Sequence, residues 1–121
     1  MKPRKGDDIA RRLIAFAVKI GKLVDRFPDT RLGRHLAGQL VRCGTAPAFH
    51  YAEARSAESR KDFIHKLSIC LKELEESDVC LQIIEASELL PYGETEGLLR
   101  ECGELRGIIG RSIITAKSRS A

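Results

Sequence analysis

The sequence lacks tryptophan and has few aromatic residues, four phenylalanines and two tyrosines in 121 residues. It also lacks runs of alternating polar and apolar residues that would predict strands, while leucine, isoleucine and alanine are abundant. No apolar run approaches the roughly 18 residues that a membrane span requires. The charged residues 1–8 are unlike a signal peptide. We therefore expect an all-α, cytoplasmic protein.

Chemical motifs are equally scarce. The four cysteines lie far apart and form no C-x-x-C pair, which predicts buried free thiols in a reducing cytosol. No serine or cysteine lies in a recognisable activating motif, and no glycine-rich loop follows a strand to hold a phosphate. The sequence therefore predicts a protein that is not an enzyme and binds no cofactor.

Apolar residues recur at steps of three and four in four segments, which predicts four amphipathic helices. The predicted helices cover residues 8–27, 30–54, 59–89 and 94–117. The short connections between them favour an antiparallel up-down-up-down four-helix bundle, formed by residues 1–121 as a single domain.

Several residues predict how these helices begin and bend. Asp7 or Asp8 is predicted to cap the first helix, and Ser59 with Asp62 forms a capping box for the third. Pro47 is predicted to kink the second helix, because proline removes a backbone donor and crowds the preceding turn.

Two further features concern packing between helices. Asp78 falls on the apolar stripe of the third helix, so we expect it to pair with an arginine of a neighbouring helix. Glycine inside a helix is costly, but it lets another element approach closely. Whether that neighbour belongs to this chain or to a second copy is open for the glycines of the fourth helix, which are Gly97, Gly103, Gly107 and Gly110. In the second helix, Gly38 and Gly44 are expected to allow a neighbouring element to approach closely.

A family resemblance is carried by the second and third helices. Residues 39–54 read QLVRCGTAPAFHYAEA, and residues 59–67 and 71–77 read SRKDFIHKL and LKELEES. This hairpin resembles the four-helix-bundle proteins encoded in intervening sequences of bacterial 23S ribosomal RNA genes. That superfamily also contains the accessory variability determinants of diversity-generating retroelements. The resemblance implies a homopentamer without known catalytic activity and, for the retroelement relatives, binding to nucleic acid and to a reverse transcriptase.

The net charge of +4 is unevenly distributed on the predicted bundle. Residues 1–12, 50–66 and 111–121 meet at one end and carry net charges of +3, +1 and +3, whereas 22–36 and 82–101 at the other end sum to −2. A basic end attracts phosphate with a strong salt dependence. The candidate nucleic-acid-binding residues are Lys2, Arg4, Lys5, Arg11, Arg12, Arg55, Arg60, Lys61, Lys117 and Arg119.

This distribution favours an oligomeric accessory protein that binds RNA, or DNA, through a basic rim. Solubilising charges at the termini would produce the same pattern, and few aromatic residues are present for base stacking. The alternative is a protein-binding scaffold, for example for a reverse transcriptase, that has no direct contact with nucleic acid. Neither hypothesis requires a membrane.

A metal-binding bundle is the third hypothesis. Folding of the hairpin brings His50 level with His65 and Glu53 level with Asp62. A di-iron bundle, however, requires carboxylates that project inward from all four helices, and the first and fourth helices supply none. We therefore expect no metal, and hydrogen bonds or salt bridges with Arg42 or Lys66 instead.

Overall fold

A computed structural model describes residues 2–119. Within this range the chain forms four α-helices and no strand: α1 (Asp7–Val24), α2 (Arg31–Arg55), α3 (Arg60–Ala86) and α4 (Glu96–Ser118). The predicted all-α four-helix bundle is confirmed. None of the helices in the described range combines the length and apolar character that crossing a bilayer requires.

The helices pack in a closed order, with contacts between α1 and α2, α2 and α3, α3 and α4, and α1 and α4. Each helix buries one apolar stripe in a shared core, as the steps of three and four predict. The largest fully buried side chains include Leu13, Phe16 and Ile20 of α1, Leu40 of α2, Leu67, Leu74, Leu81 and Ile84 of α3, and Leu105 and Ile109 of α4.

Of the two helix caps that the sequence predicts, one is present in the structure and one is not. The Ser59 hydroxyl accepts a hydrogen bond from the backbone N–H of Asp62 at 3.0 Å, as predicted. The cap predicted for α1 is wrong, because the N-cap residue is Gly6, with φ of 89°, and neither aspartate caps the helix. Asp7 lies inside the first turn, where its carboxylate accepts from the backbone N–H of Arg4 at 2.6 Å.

The third helix ends three residues before its predicted end. Glu88 adopts a left-handed conformation, with φ of 56°, and the N–H of Leu89 bonds back to the carbonyl of Ile84. This is the geometry of a helix C-terminus that glycine usually provides. Because no glycine marks the position, sequence reading extended the helix too far. Pro47 lies within α2, and the kink there stays a prediction.

The glycines divide into two groups. A Cβ atom at Gly44 would lie 2.9 Å from Cγ2 of Ile20, so this glycine allows the predicted close approach of α1. Gly38, in the same helix, has nothing within 4 Å of that position. Among the described residues, only the arginine side chains of α4 itself come near its glycines. Asp78 has its predicted partner, Arg106 of α4, at 3.5 Å.

Candidate nucleic-acid interface

One ion pair joins the start of α1 to the end of α2. Nη2 of Arg55 donates to Oδ1 of Asp7 at 2.6 Å and to the backbone carbonyl of Lys5 at 3.1 Å. The hydrogen bond from Arg55 holds the pKa of Asp7 below its ordinary value, and the bond from the Arg4 N–H adds to the effect. Because the same guanidinium also contacts the leader, residues 2–6, it fixes this segment against the bundle.

Beside this ion pair, a cleft of about 640 Å³ opens between the leader, the end of α2, the start of α3 and the end of α4. We call it the basic cleft, because among the described residues five of its lining residues are basic and none is acidic. The basic residues are Arg4, Lys5, Arg55, Arg111 and Arg119. A second cleft of about 370 Å³ adjoins it, shares Arg55 and Arg119, and adds Arg60.

The structure therefore brings together five of the ten predicted residues in these two clefts, namely Arg4, Lys5, Arg55, Arg60 and Arg119. Lys2, Arg11, Lys61 and Lys117 are exposed and line neither cleft.

Arg12 is engaged by the bundle itself. Its Nη2 lies 2.6 Å from Oε1 of Glu101 and 3.1 Å from Oε1 of Glu104, and Nε donates to Glu101 as well. The bond to Glu101 raises the pKa of Arg12. These contacts join α1 to α4, so the charge of Arg12 is offset by two carboxylates and contributes little to an anion site.

Sequence reading missed three residues of the basic cleft: Arg111, Tyr51 and Phe63. Arg111 lies on α4 and Arg119 is the C-cap residue of that helix. Both belong to the basic segment 111–121, and this shared segment is the signal that could have added Arg111 to the candidate residues. The guanidinium carbon of Arg55 lies 5.9 Å from the centre of the Tyr51 ring, within the range of a cation–π contact. Two aromatic side chains therefore line the basic end, although the sequence predicts little base stacking.

Two residues of the metal hypothesis, His50 and Glu53, bond to each other, and Glu53 also pairs with a lysine. Nδ1 of His50 lies 3.0 Å from Oε1 of Glu53, and Nζ of Lys66 lies 3.7 Å from Oε2 of the same glutamate. The expected salt bridge to Lys66 is present, whereas Arg42 pairs with Glu73 of α3 at 2.7 Å. Among residues 2–119, no three His, Cys, Asp or Glu side chains are grouped so as to hold a metal ion.

All four cysteines are buried and free, as predicted. Burial raises the pKa values of the thiols of Cys70, Cys80 and Cys102 to about 12, and raises that of Cys43 as well. The thiolate is the nucleophilic form of cysteine. The thiols are therefore protonated at neutral pH, and they supply no activated nucleophile.

Comparisons with known proteins give a family and a similar fold. The family model described as 23S rRNA-intervening sequence protein matches residues 7–111. The chain is similar to a crystal structure of a protein of unknown function from the S23 ribosomal protein family of Bacteroides thetaiotaomicron. The two share 27% sequence identity with a TM-score of 0.77, and the match covers 87% of this chain and 97% of the other. No curated protein matches the chain.

Proposed function

The chain belongs to the 23S rRNA-intervening sequence protein family, and we propose that it is a non-enzymatic, cytoplasmic, oligomeric protein that binds RNA at its basic end. The observation that carries this proposal is the convergence of basic side chains from the leader, α2 and α4 on one cleft without acidic lining. Phosphate contacts of Lys and Arg supply most of the affinity of such interfaces, and they release counterions.

Exposed apolar side chains support the oligomer. Ile14 and Val18 of α1 and Ile114 of α4 are each more than half exposed. Phe49 of α2 and Val79 of α3 are also more than half exposed. These five exposed residues are distributed over all four helices. Such surfaces fit an oligomer better than a monomer.

We propose a heterologous contact, in which the exposed apolar residues of α1 and α4 of one copy pack on those of α2 and α3 of the next. A heterologous contact that closes forms a ring with rotational symmetry. All copies in such a ring point the same way, so their basic ends form one rim. We propose five copies, the number that the family resemblance implies.

RNA binding is tested by anisotropy titration of a labelled structured RNA at two salt concentrations. Arg60→Gln with Lys61→Gln removes two exposed positive charges at the basic end, whereas Lys22→Gln with Arg31→Gln removes two exposed charges elsewhere. Each lost phosphate contact reduces the slope of log K against log salt by about 0.7 to 0.9. We expect a decrease of roughly one to two for the first variant only. Equal losses in both variants would contradict a localised interface.

The ring is tested by light scattering on two variants. Ile14→Glu places a charge among the apolar residues of α1 and α4, and Phe49→Glu places one among those of α2 and α3. Both are expected to be monomeric. A mixture of the two is expected to form a one-to-one dimer, because each variant retains the surface that the other has lost. If light scattering shows that the wild-type protein is a monomer, no ring forms and the proposed basic rim does not exist. If binding partners captured from lysate persist after nuclease treatment, the role of a protein scaffold is favoured instead.

A further inference from the structure

The basic cleft has a composition that a general attraction to nucleic acid does not require. Its volume of about 640 Å³ lies within the range of small-molecule sites. Cations line it together with two aromatic rings, those of Tyr51 and Phe63, and with the hydroxyl groups of Ser112 and Thr115. A patch that only follows a phosphate backbone needs the cations alone. The cleft therefore offers complementary groups for both the charged and the planar parts of one ligand.

The charges of the cleft are available to a ligand. Within residues 2–119, the side chains of Arg4, Lys5, Arg111 and Arg119 form no ion pair with an acidic residue. Arg55 is already paired with Asp7, and its side chain is only 17% exposed. A terminal phosphate monoester carries a charge close to −2 at neutral pH, whereas a phosphate within a strand carries −1. Several free cations around one open cleft favour the more highly charged group.

The aromatic rings favour a base beside that phosphate. Tyr51 and Phe63 are partly buried, so each ring is fixed by the core and still borders the cleft. Aromatic side chains bind bases of any sequence by stacking, because every base has a planar face. The hydroxyl of Tyr51 is neutral at pH 7 and does not repel a phosphate, and burial raises its pKa further.

We infer that the basic cleft binds a nucleoside monophosphate group, with its phosphate on the free cations and its base on Tyr51 or Phe63. The group comes either from the phosphorylated end of a strand or from a free nucleotide. The adjoining cleft at Arg60 continues from the basic cleft through Arg55 and Arg119, so it can receive the next phosphate of a strand. If the group is the end of a strand, the inference rests on the proposed RNA binding. If the group is a free nucleotide, the inference is independent of it.

The scarcity of aromatic residues provides a direct assay. The chain has no tryptophan and only two tyrosines, Tyr51 in the cleft and Tyr92, which is 99% exposed. In the Tyr92→Phe variant, tyrosine fluorescence reports on the cleft alone. We expect AMP to quench it saturably, and calorimetry to give the same affinity. Adenosine and inorganic phosphate are each expected to bind at least about tenfold more weakly, since each lacks one half of the contacts.

Matched variants locate the site. Arg111→Gln with Arg119→Gln is expected to weaken AMP binding by about tenfold or more, because charge-assisted contacts are lost. Lys19→Gln with Lys22→Gln makes the same charge change on an exposed part of α1 and is expected to leave AMP binding unchanged. Equal weakening by both pairs would overturn the assignment. Circular dichroism of each variant checks that the bundle is intact.

Oligoribonucleotides with phosphorylated or hydroxyl ends separate the two sources. A tenfold preference for a phosphorylated end, abolished by excess AMP, would identify a strand end. AMP binding without that preference would identify a free nucleotide. If AMP does not bind and the end group has no effect while RNA still binds, the inference is wrong and the proposed function stands. If AMP binds but no RNA does, the proposed function is wrong and the inference stands.

Discussion

Gly44 and Gly38 make a matched pair for testing how α1 and α2 pack. Both are glycines inside α2, but a Cβ atom at Gly44 would lie 2.9 Å from Cγ2, 3.0 Å from Cγ1 and 3.3 Å from Cβ of Ile20. Rotation of the Ile20 side chain moves its two Cγ atoms but leaves its Cβ atom, whose contact at 3.3 Å is already tight. At Gly38 the added methyl group would meet nothing within 4 Å.

The two alanine variants should therefore change stability in opposite directions. Alanine is better than glycine in a helix interior by about 1 kcal/mol, and Gly38→Ala should gain most of this. At Gly44 the same gain is opposed by overpacking, which costs about 1 to 3 kcal/mol in a well-packed core. We expect a net loss of about 1 kcal/mol for Gly44→Ala. The two variants should thus differ by about 2 kcal/mol, or roughly 8 °C in Tm.

Urea denaturation followed by circular dichroism measures both changes at one protein concentration. A double-mutant cycle with Ile20→Ala tests the mechanism, because that substitution removes the atoms that clash. The cost of Ile20→Ala should be smaller by about 1 kcal/mol or more when Gly44→Ala is present, since the new methyl group fills part of the cavity. If Gly44→Ala stabilises as much as Gly38→Ala, the close approach of α1 and α2 is refuted.

Three further predictions concern charges and thiols. Asp78→Ala should reduce the free energy of unfolding by about 1 kcal/mol, because the partly exposed Arg106 loses its ion-pair partner; urea titration measures this. The four cysteines should resist a thiol reagent at pH 8 and react at once in urea, because burial keeps them protonated. The pKa of Glu94 is lowered by its hydrogen bonds with Arg26, so its contribution to stability should be present above its ordinary pKa of 4.5 and lost as pH falls below it. Glu94→Gln should therefore lose less stability between pH 6 and pH 3 than wild type.

The fold could be predicted because it depends on a repeated local signal. Apolar residues such as Leu67, Leu74 and Leu81 return to one face of α3 at steps of three and four, and the structure buries all of them. Asp78 could be assigned a partner because a carboxylate on that face has to be paired. The end of a helix depends on the backbone conformation of a single residue. At the end of α3 this residue is the left-handed Glu88, and a glutamate there does not predict a helix end.

The sequence predicts that one end of the bundle is basic, but it does not identify which residues line the candidate site. Counting charges by segment located the basic end, but a count does not show which cations already have partners. Arg12 was included although Glu101 and Glu104 bind it, and those acids lie far along the sequence. Tyr51 and Phe63 were missed for the converse reason, since their apolar character also suits a core, and only the packing of helix ends leaves them beside a cleft.

Substitution of Asp7 distinguishes the contribution of the cleft's shape to binding from the contribution of its charge. Removing an acid there adds one positive charge, and a general attraction to phosphate would then predict tighter binding. Asp7 is, however, the carboxylate that binds both Arg55 of α2 and the backbone N–H of Arg4 in the leader, and the leader forms one wall of the basic cleft. Asp8 is exposed and makes the same charge change without a role in that wall. We therefore expect Asp7→Asn to weaken binding of AMP and of phosphorylated RNA, and Asp8→Asn to strengthen it slightly, as measured by the tyrosine fluorescence and anisotropy titrations. If both variants bind more tightly by the same factor, charge alone accounts for recognition and the cleft contributes no specific geometry.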